Sequence, residues 1–173
     1  YMNDGQQTFF EKYEVYRLSS TKELCRDYSE SATSKSITIF GDIDYNTELV
    51  AENRGGISFG KLKYGREEID GIKSHVGKTF KTTVYDGKKA TEKQFREVSD
   101  QNPMILHISS HGEYDGNDKI SETDAMENSL LALTGANVGS DDILNDGIIT
   151  AADVAQMSLL QCDMAVLSAC NTG

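Results

Sequence analysis

The sequence predicts an α/β fold with a mostly parallel central sheet and helices on both faces of that sheet. Short apolar runs at Ile37–Phe40, Pro103–Leu106 and Met164–Leu167 are typical of buried parallel strands. Segments with helix-capping signals lie between the predicted strands, and this alternation favours parallel pairing through helical crossovers. A chain of 173 residues suits one core, so we expect a single domain over residues 1–173.

Strands are predicted from alternating polar and apolar residues or from runs of apolar and β-branched residues. In chain order they are Tyr13–Leu18, Ile37–Phe40, Phe80–Tyr85, a strand that begins at Pro103, a strand or hairpin arm at Asn128–Thr134, and Met164–Ser168. Their spacing leaves room for a helix in most of the connections.

Beyond a short helix predicted at Ser19–Leu24, three helices are predicted, at Glu67–Val76, Thr91–Val98 and Thr150–Leu160. The second and third open with a threonine that is followed three residues later by Gln94 or Asp153. This is the spacing of a capping box, in which the two side chains satisfy free backbone N–H groups at the helix start. The glycine-rich segment before the first helix, residues 53–65, is predicted to be a mobile loop.

Composition excludes several classes of function. The net charge of −11 opposes nucleic-acid binding, which depends on Lys and Arg, but it does not oppose a basic peptide substrate. No apolar stretch approaches the length that spans a membrane. Three scattered cysteines and no Asn-x-Ser/Thr acceptor favour a reducing compartment, so we expect a cytoplasmic protein without nucleic-acid or membrane partners.

Two motifs place reactive side chains directly after predicted strands. HISSHG spans residues 107–112, and SACNTG spans residues 168–173. Open α/β sheets keep their ligand sites at the carboxyl ends of the strands. A thiol needs a nearby base to react at neutral pH, and an imidazole is a suitable one. The sequence therefore predicts a site in which Cys170 is the nucleophile and His111 its base.

Other possible sites have simpler interpretations. His107 and His111 would lie about 13 Å apart on one strand, too far for a shared metal, so His107 is predicted to be a sheet residue. Ser58 lies in a G-x-S-x-G string, but the polar, glycine-rich flanks lack the strand and helix of a nucleophile elbow. The acids between Asp142 and Asp153 have a calcium-loop spacing, but Asp153 is better explained as a helix cap.

Three strings in the second half of the chain carry a family resemblance: LHISSHG at 106–112, Ser129-Leu130-Leu131, and LSACNTG at 167–173. Four earlier strings agree with it, namely YEVYRLSST at 13–21, Gly41-Asp42, REEI at 66–69 and ATEKQF at 90–95. With these motifs the chain resembles the CHAT family of caspase-like peptidases. That family belongs to the clan that includes caspases, separase, gingipain and clostripain.

The resemblance implies a three-layer α/β/α sandwich and a cysteine endopeptidase without metal or cofactor. Cys170 would form an acyl-thioenzyme, and His111 would protonate the leaving amine. The N–H groups of Gly112 and Cys170 would hold the oxyanion. Ser168 and Ser110 are expected to contact the protein or peptide substrate. Some arginine-specific clan members have an acid where Ser168 stands, so basic specificity is not implied.

The resemblance also implies a domain that is incomplete at both ends. We expect a second polypeptide or subunit to complete it, and a sensor or repeat module to couple it to bacterial defence or stress. Two alternatives remain open. The chain could be a catalytically silent caspase-like scaffold or interaction domain, or a serine hydrolase that uses Ser58.

Overall fold

A computed structural model of the chain describes residues 35–46, 58–114, 122–138 and 145–169. All of them belong to one compact unit, Ser31–Gly173. The predicted strand Tyr13–Leu18, the predicted helix Ser19–Leu24 and the predicted nucleophile Cys170 lie outside the described residues. No helix in these described ranges is long and apolar enough to cross a membrane.

The described part contains strands and helices in alternation. The strands are β1 (Ser36–Ile43), β2 (Lys81–Gly87), β3 (Ile105–Ser109), β4 (Gly112–Tyr114), β5 (Ser129–Ala132), β6 (Ile148–Thr150) and β7 (Met164–Ser168). The helices are α1 (Gly65–Val76), α2 (Glu92–Arg96), α3 (Val98–Gln101), α4 (Glu122–Asn128) and α5 (Ala151–Ala155). Each strand and helix predicted within this part has a counterpart, but the predicted helix Thr91–Val98 is divided at Glu97 into α2 and α3, and other ends shift by a few residues.

Four strands form a parallel sheet in the order β2-β1-β3-β7. Ile37 of β1 pairs with Thr82 on one side and with Ile105 on the other. Ser109 at the end of β3 pairs with Ser168 at the end of β7. The predicted mostly parallel central sheet is therefore confirmed, and the ends of β3 and β7 meet at one edge.

Side chains of β1 alternate between the two faces of this sheet. Ile37 and Ile39 pack with Ile69 of α1 in one cluster. Phe40 belongs to a second cluster with Phe95 of α2 and Val98 of α3, and its ring lies 5.3 Å from that of Phe95. Helices thus flank the sheet on both faces, which confirms the α/β fold class with three layers.

A second, antiparallel sheet has the order β4-β5-β6. Leu131 of β5 and Ile149 of β6 are buried in the same cluster as Phe40. The predicted hairpin arm Asn128–Thr134 contains β5. The strands β4 and β6 have three residues each, too few to show alternation, so sequence analysis missed them.

Two details differ from the sequence predictions. Helix α5 ends at Ala155 rather than near Leu160, because Gln156 and Met157 donate to carbonyls three residues back and the helix tightens. Strand β7 was predicted to be buried, but Met164 and Leu167 are 49% and 50% exposed. Within the described residues β7 pairs with β3 alone, which leaves its other edge uncovered.

Candidate active site

The site predicted from sequence lies where β3 and β7 end. The N–H of Ser110 donates to the carbonyl of Ser168 at 3.2 Å, which continues the pairing one step beyond β3. His111 follows Ser110 directly, and Ala169 is the last described residue before Cys170. The structure therefore brings His111 to the edge where β7 ends, and the position of Cys170 lies outside the described part.

The His111 ring is held by one hydrogen bond and two aromatic contacts. Its Nε2 lies 2.6 Å from the carbonyl oxygen of Gly60. A carbonyl oxygen can only accept, so Nε2 carries a hydrogen and Nδ1 is left for proton exchange. The rings of Tyr45 and Phe59 lie 5.2 Å and 5.6 Å from the imidazole, between ring centroids. These contacts fix which nitrogen can act as the acid or base.

The segment that carries Gly60 is anchored by Asn137. The Asn137 side chain accepts from the N–H of Phe59 at 2.6 Å and donates to the carbonyl of Phe59 at 2.9 Å. The same amide nitrogen donates to the side chain of Asn46 at 2.9 Å. The described end of the segment predicted to be a mobile loop is thus tied to a residue 78 positions away along the chain.

Ser58 lacks the setting of a serine nucleophile. It is exposed, and irregular chain and a turn separate it from the start of α1 at Gly65. A nucleophile elbow requires the helix to begin at the turn that carries the serine. The interpretation of G-x-S-x-G as a chance match therefore agrees with the structure.

Tyr45 and Ser110 form a buried hydrogen-bonded pair behind His111. The Tyr45 hydroxyl lies 3.3 Å from the Ser110 hydroxyl, which itself donates to the carbonyl of Ala132. Burial raises the pKa of Tyr45, although hydrogen bonds with Ser110 and the His111 backbone oppose the rise. The Ser110 hydroxyl is directed into the protein, and its predicted contact with substrate stays a prediction.

The backbone at Gly112 suits the predicted oxyanion role. Gly112 stands opposite Leu131, and the N–H of Ala132 donates to the carbonyl of His111 at 2.9 Å. This pattern makes Gly112–Leu131 a non-hydrogen-bonded pair, whose N–H groups point away from the partner strand. Because β4 is the edge of its sheet in the described part, the Gly112 N–H is directed out of that sheet. The oxyanion role itself stays a prediction.

A cavity of about 330 Å³ opens beside the strand ends, and we call it the strand-end cavity. Its lining comes from the segment that leads into α1, from the first turn of α1, and from the ends of β3 and β7 with the residue after each. These residues are Leu62, Lys63, Tyr64, Gly65, Glu68, Ser109, Ser110, Ser168 and Ala169. Ser168, predicted to contact substrate, is exposed there. Ser110 and Ala169, which immediately precede His111 and Cys170, line the same cavity.

Glu68 of α1 is a residue of this cavity that sequence analysis missed. Its carboxylate accepts from His107 Nε2 at 2.9 Å and from the Ser109 hydroxyl at 2.6 Å. Burial disfavours the charge, but hydrogen bonds from Ser109, His107 and Ser168 outweigh it and hold the pKa of Glu68 below its ordinary value. The signal that could have found Glu68 is His107 itself, because a polar side chain in a buried strand needs a partner. The prediction that His107 is a sheet residue is confirmed.

The end of β1 is joined to the start of α1 by ion pairs. Asp42, whose φ is +49°, lies 2.8 Å from Arg66 and 3.0 Å from Lys61. Arg66 also reaches Asp86 at 2.7 Å. Burial opposes the charge of Asp42, but the two cations outweigh it and lower the pKa of Asp42. A Cβ atom on Gly65 would lie 3.0 Å from the Asp42 backbone, so this close approach favours glycine.

The whole chain is similar to one known protein family. A profile of the CHAT domain matches residues 1–173. The chain belongs to the CHAT domain family. CHAT domains are caspase-like, and the mostly parallel sheet with flanking helices agrees with that fold. No curated protein matches this CHAT domain. Within the described residues, no group of three or more His, Cys, Asp or Glu side chains is arranged to hold a metal ion.

Proposed function

We propose that this CHAT domain is a cysteine endopeptidase in which Cys170 attacks the scissile carbonyl and His111 handles the proton. One observation carries the proposal: Ser110 and Ala169, the residues directly before His111 and Cys170, line a single cavity where β3 and β7 end. Membership of a caspase-like family supports the same chemistry. Parallel pairing of β3 and β7 brings the ends of these strands, which precede His111 and Cys170, to one edge of the sheet.

The reaction has two halves. In the first, His111 takes the proton of the Cys170 thiol, the resulting thiolate bonds to the carbonyl carbon, and the carbonyl π electrons move onto the oxygen. N–H groups of Gly112 and Cys170 would donate to that oxyanion, and one such donor is worth about 3 kcal/mol. His111 then protonates the amide nitrogen, the C–N bond breaks, and an acyl-thioenzyme remains.

In the second half, water replaces the thiol. Neutral His111 accepts a proton from water as the hydroxide adds to the thioester carbonyl. The intermediate collapses, the C–S bond breaks, and the carboxylic acid leaves with the Cys170 sulfur restored. Throughout, Nε2 of His111 keeps its hydrogen bond to Gly60, and Nδ1 carries the transferred proton. The Gly60 carbonyl therefore serves as the orienting group for the base.

Cysteine labelling and peptide cleavage test the proposal together. We expect an iodoacetamide probe to label Cys170 fastest among the three cysteines, and His111→Ala to remove that preference. His75→Ala, which changes an exposed imidazole at the end of α1, is the matched control and should leave labelling unchanged. In a peptide library followed by mass spectrometry, Cys170→Ala and His111→Ala should both abolish cleavage.

Equal labelling of Cys25, Cys162 and Cys170, together with no cleavage, would reject the enzyme. That outcome would favour the alternative of a catalytically silent scaffold or interaction domain with the same fold. Cleavage that survives Cys170→Ala but is lost on reaction with a fluorophosphonate would instead indicate Ser58.

We also propose that a second polypeptide or subunit covers β7 and completes the substrate groove. Met164 and Leu167 on this strand are half exposed, which supports a partner at that edge. A regulated role in bacterial stress or defence is our proposal from family membership alone. Intact mass of the native complex should reveal the additional polypeptide. Full peptidase activity in a monomer of this chain would contradict the partner.

A further inference from the structure

We propose that the strand-end cavity takes a lysine or arginine side chain of the substrate, from the residue before the scissile bond, and that Glu68 determines this specificity. The inference rests on the proposed peptidase function and adds the class of substrate to it. Sequence analysis left basic specificity open, because Ser168 stands where some relatives have an acid. In this structure the acid comes from α1 instead.

The position of the cavity supports a substrate side chain rather than a remote ligand. Ser110 and Ala169 lie on its wall, one residue before His111 and Cys170. A peptide whose carbonyl reaches Cys170 would pass its nearest side chain along this wall. Glu68, in the first turn of α1, lines the same cavity.

The lining suits a long side chain with a cationic end. Leu62 and Tyr64 offer apolar surface for the methylene groups, while Ser168 and the carboxylate of Glu68 offer acceptors. Long basic side chains bury their stems on apolar surface in this way and place the charge on a polar partner. A leucine-sized side chain in the same cavity would leave the carboxylate without a cationic partner from the substrate.

Glu68 retains capacity for such a partner. An ionised carboxylate has about four acceptor positions. His107, Ser109 and Ser168 supply three hydrogen bonds to it. The Glu68 side chain is 29% exposed, so part of the carboxylate side chain faces the open cavity. A hydrogen bond between opposite charges is about twice as strong as one between neutral groups. This difference would favour a Lys or Arg side chain over a neutral one.

Lys63 is the other charged residue of the lining, and it opposes a basic side chain. Its ammonium group lies 4.9 Å from the centroid of the Tyr64 ring, and Lys63 is exposed to solvent. Water therefore screens its charge more than it screens the half-buried Glu68. Changing Lys63 should strengthen the preference for basic residues, which provides a test that leaves the Glu68 hydrogen bonds intact.

The experiment compares peptides that differ only at the residue before the scissile bond, with Lys, Arg, Gln, Leu or Glu at that position. We expect kcat/KM for Lys and Arg to exceed that for Leu and Gln at least tenfold. Glu68→Gln should lower this ratio at least tenfold, mainly through a higher KM for the Lys and Arg peptides. Glu67→Gln, an exposed neighbour outside the cavity, should change neither value.

Lys63→Glu is the second variant, because Glu68→Gln also removes a charged partner of His107 and could impair folding. It should raise kcat/KM for the Lys and Arg peptides relative to Leu. Preferred cleavage after Leu, Gln or Glu, or an equal loss for all peptides in a folded Glu68→Gln protein, would overturn the inference and leave the peptidase intact. If no peptide is cleaved and Cys170 is not preferentially labelled, both proposals fail.

Discussion

Polar side chains at the site depend on partners from distant parts of the chain. Asn137 holds the backbone of Phe59, and the next residue, Gly60, holds the His111 ring. Glu68 collects hydrogen bonds from β3 and β7. At the scale of single residues, the orientation of the His111 ring is therefore set two contacts away from it.

Asn137→Ala tests this chain of contacts. The change removes both hydrogen bonds to Phe59, so we expect the free energy of unfolding to fall by about 1–3 kcal/mol. Peptide cleavage should fall about tenfold, since about 1.4 kcal/mol of lost orientation corresponds to that factor. Urea unfolding and steady-state kinetics measure the two effects.

Asn137→Asp retains an acceptor for the Phe59 N–H. It should therefore lose less unfolding free energy and less cleavage activity than Asn137→Ala. Cleavage unchanged in a destabilised Asn137→Ala protein would show that the anchor serves stability alone.

The ionisation of Glu68 predicts a pH effect on stability. Because its pKa in the folded protein lies below the ordinary 4.5, its charged form stabilises the fold above about pH 4.5. That contribution is lost as the pH falls through the lowered pKa. The difference in unfolding free energy between wild type and Glu68→Gln should therefore be largest at neutral pH and shrink toward pH 3. Urea titrations at several pH values measure it.

Glu67→Gln controls for the loss of one exposed carboxylate next to Glu68. If the difference in unfolding free energy between wild type and Glu68→Gln stays constant or grows below pH 4, the effect does not come from ionisation of Glu68.

At the scale of elements, α2 ties β6 and α5 to the core. Glu92 at the start of α2 is buried and accepts from the N–H of Gly147 at 2.6 Å. Burial raises the pKa of Glu92 despite hydrogen bonds from Gly147 and Arg96. Arg96 also reaches Asp153 at 2.9 Å, within the capping box of α5. A buried carboxylate with these partners fixes the turn that leads into β6.

Gly147→Ala tests that turn. Gly147 has a φ of +81°, and a Cβ atom there would lie 2.3 Å from the backbone nitrogen of Ala136. Backbone must move to admit it, so we expect a loss of at least about 2 kcal/mol in unfolding free energy. Gly71→Ala is the matched control, because its Cβ meets nothing within 4 Å in the interior of α1.

Gly71→Ala should instead gain about 0.5–1 kcal/mol, since alanine favours a helix over glycine. Thermal or urea unfolding of both variants gives the comparison. Equal stability of Gly147→Ala and wild type would mean that the turn adapts and does not require glycine.

At the scale of the whole molecule, the chain carries a net charge of −11. The field of this charge raises the local concentration of cationic peptides and speeds their association. Salt weakens it, since the Debye length falls from about 30 Å at 0.01 M to about 10 Å at 0.1 M. The net charge of the chain therefore acts in the same direction as the specificity that we propose for Glu68.

This field predicts that kcat/KM for a peptide with flanking lysines falls several-fold over that range of salt. A peptide with the same cleaved residues and neutral flanks is the control and should change much less. Stopped-flow or steady-state assays at limiting substrate measure kcat/KM for both peptides. A parallel response of the two peptides would rule out steering by the charge of the protein.

Much of the fold was predictable because strand and helix patterns are local. Ile37–Phe40 lies within β1, and Met164–Ser168 coincides with β7. The capping box of Thr150 and Asp153 is present with both hydrogen bonds. The exposure of Met164 and Leu167 was not predictable, since apolar composition does not tell an edge strand from a central one.

The sequence by itself determined the order of strands and helices, the family motifs, and the placement of His111 directly after a strand. Each of these depends on residues close together along the chain. Only the tertiary structure decided that Gly60 orients His111, that Asn137 anchors Phe59 next to Gly60, and that Glu68 faces the strand-end cavity. Those contacts join residues 39 to 78 positions apart. Parallel pairing and packing bring them together, and no local pattern encodes which distant partner a polar side chain will meet.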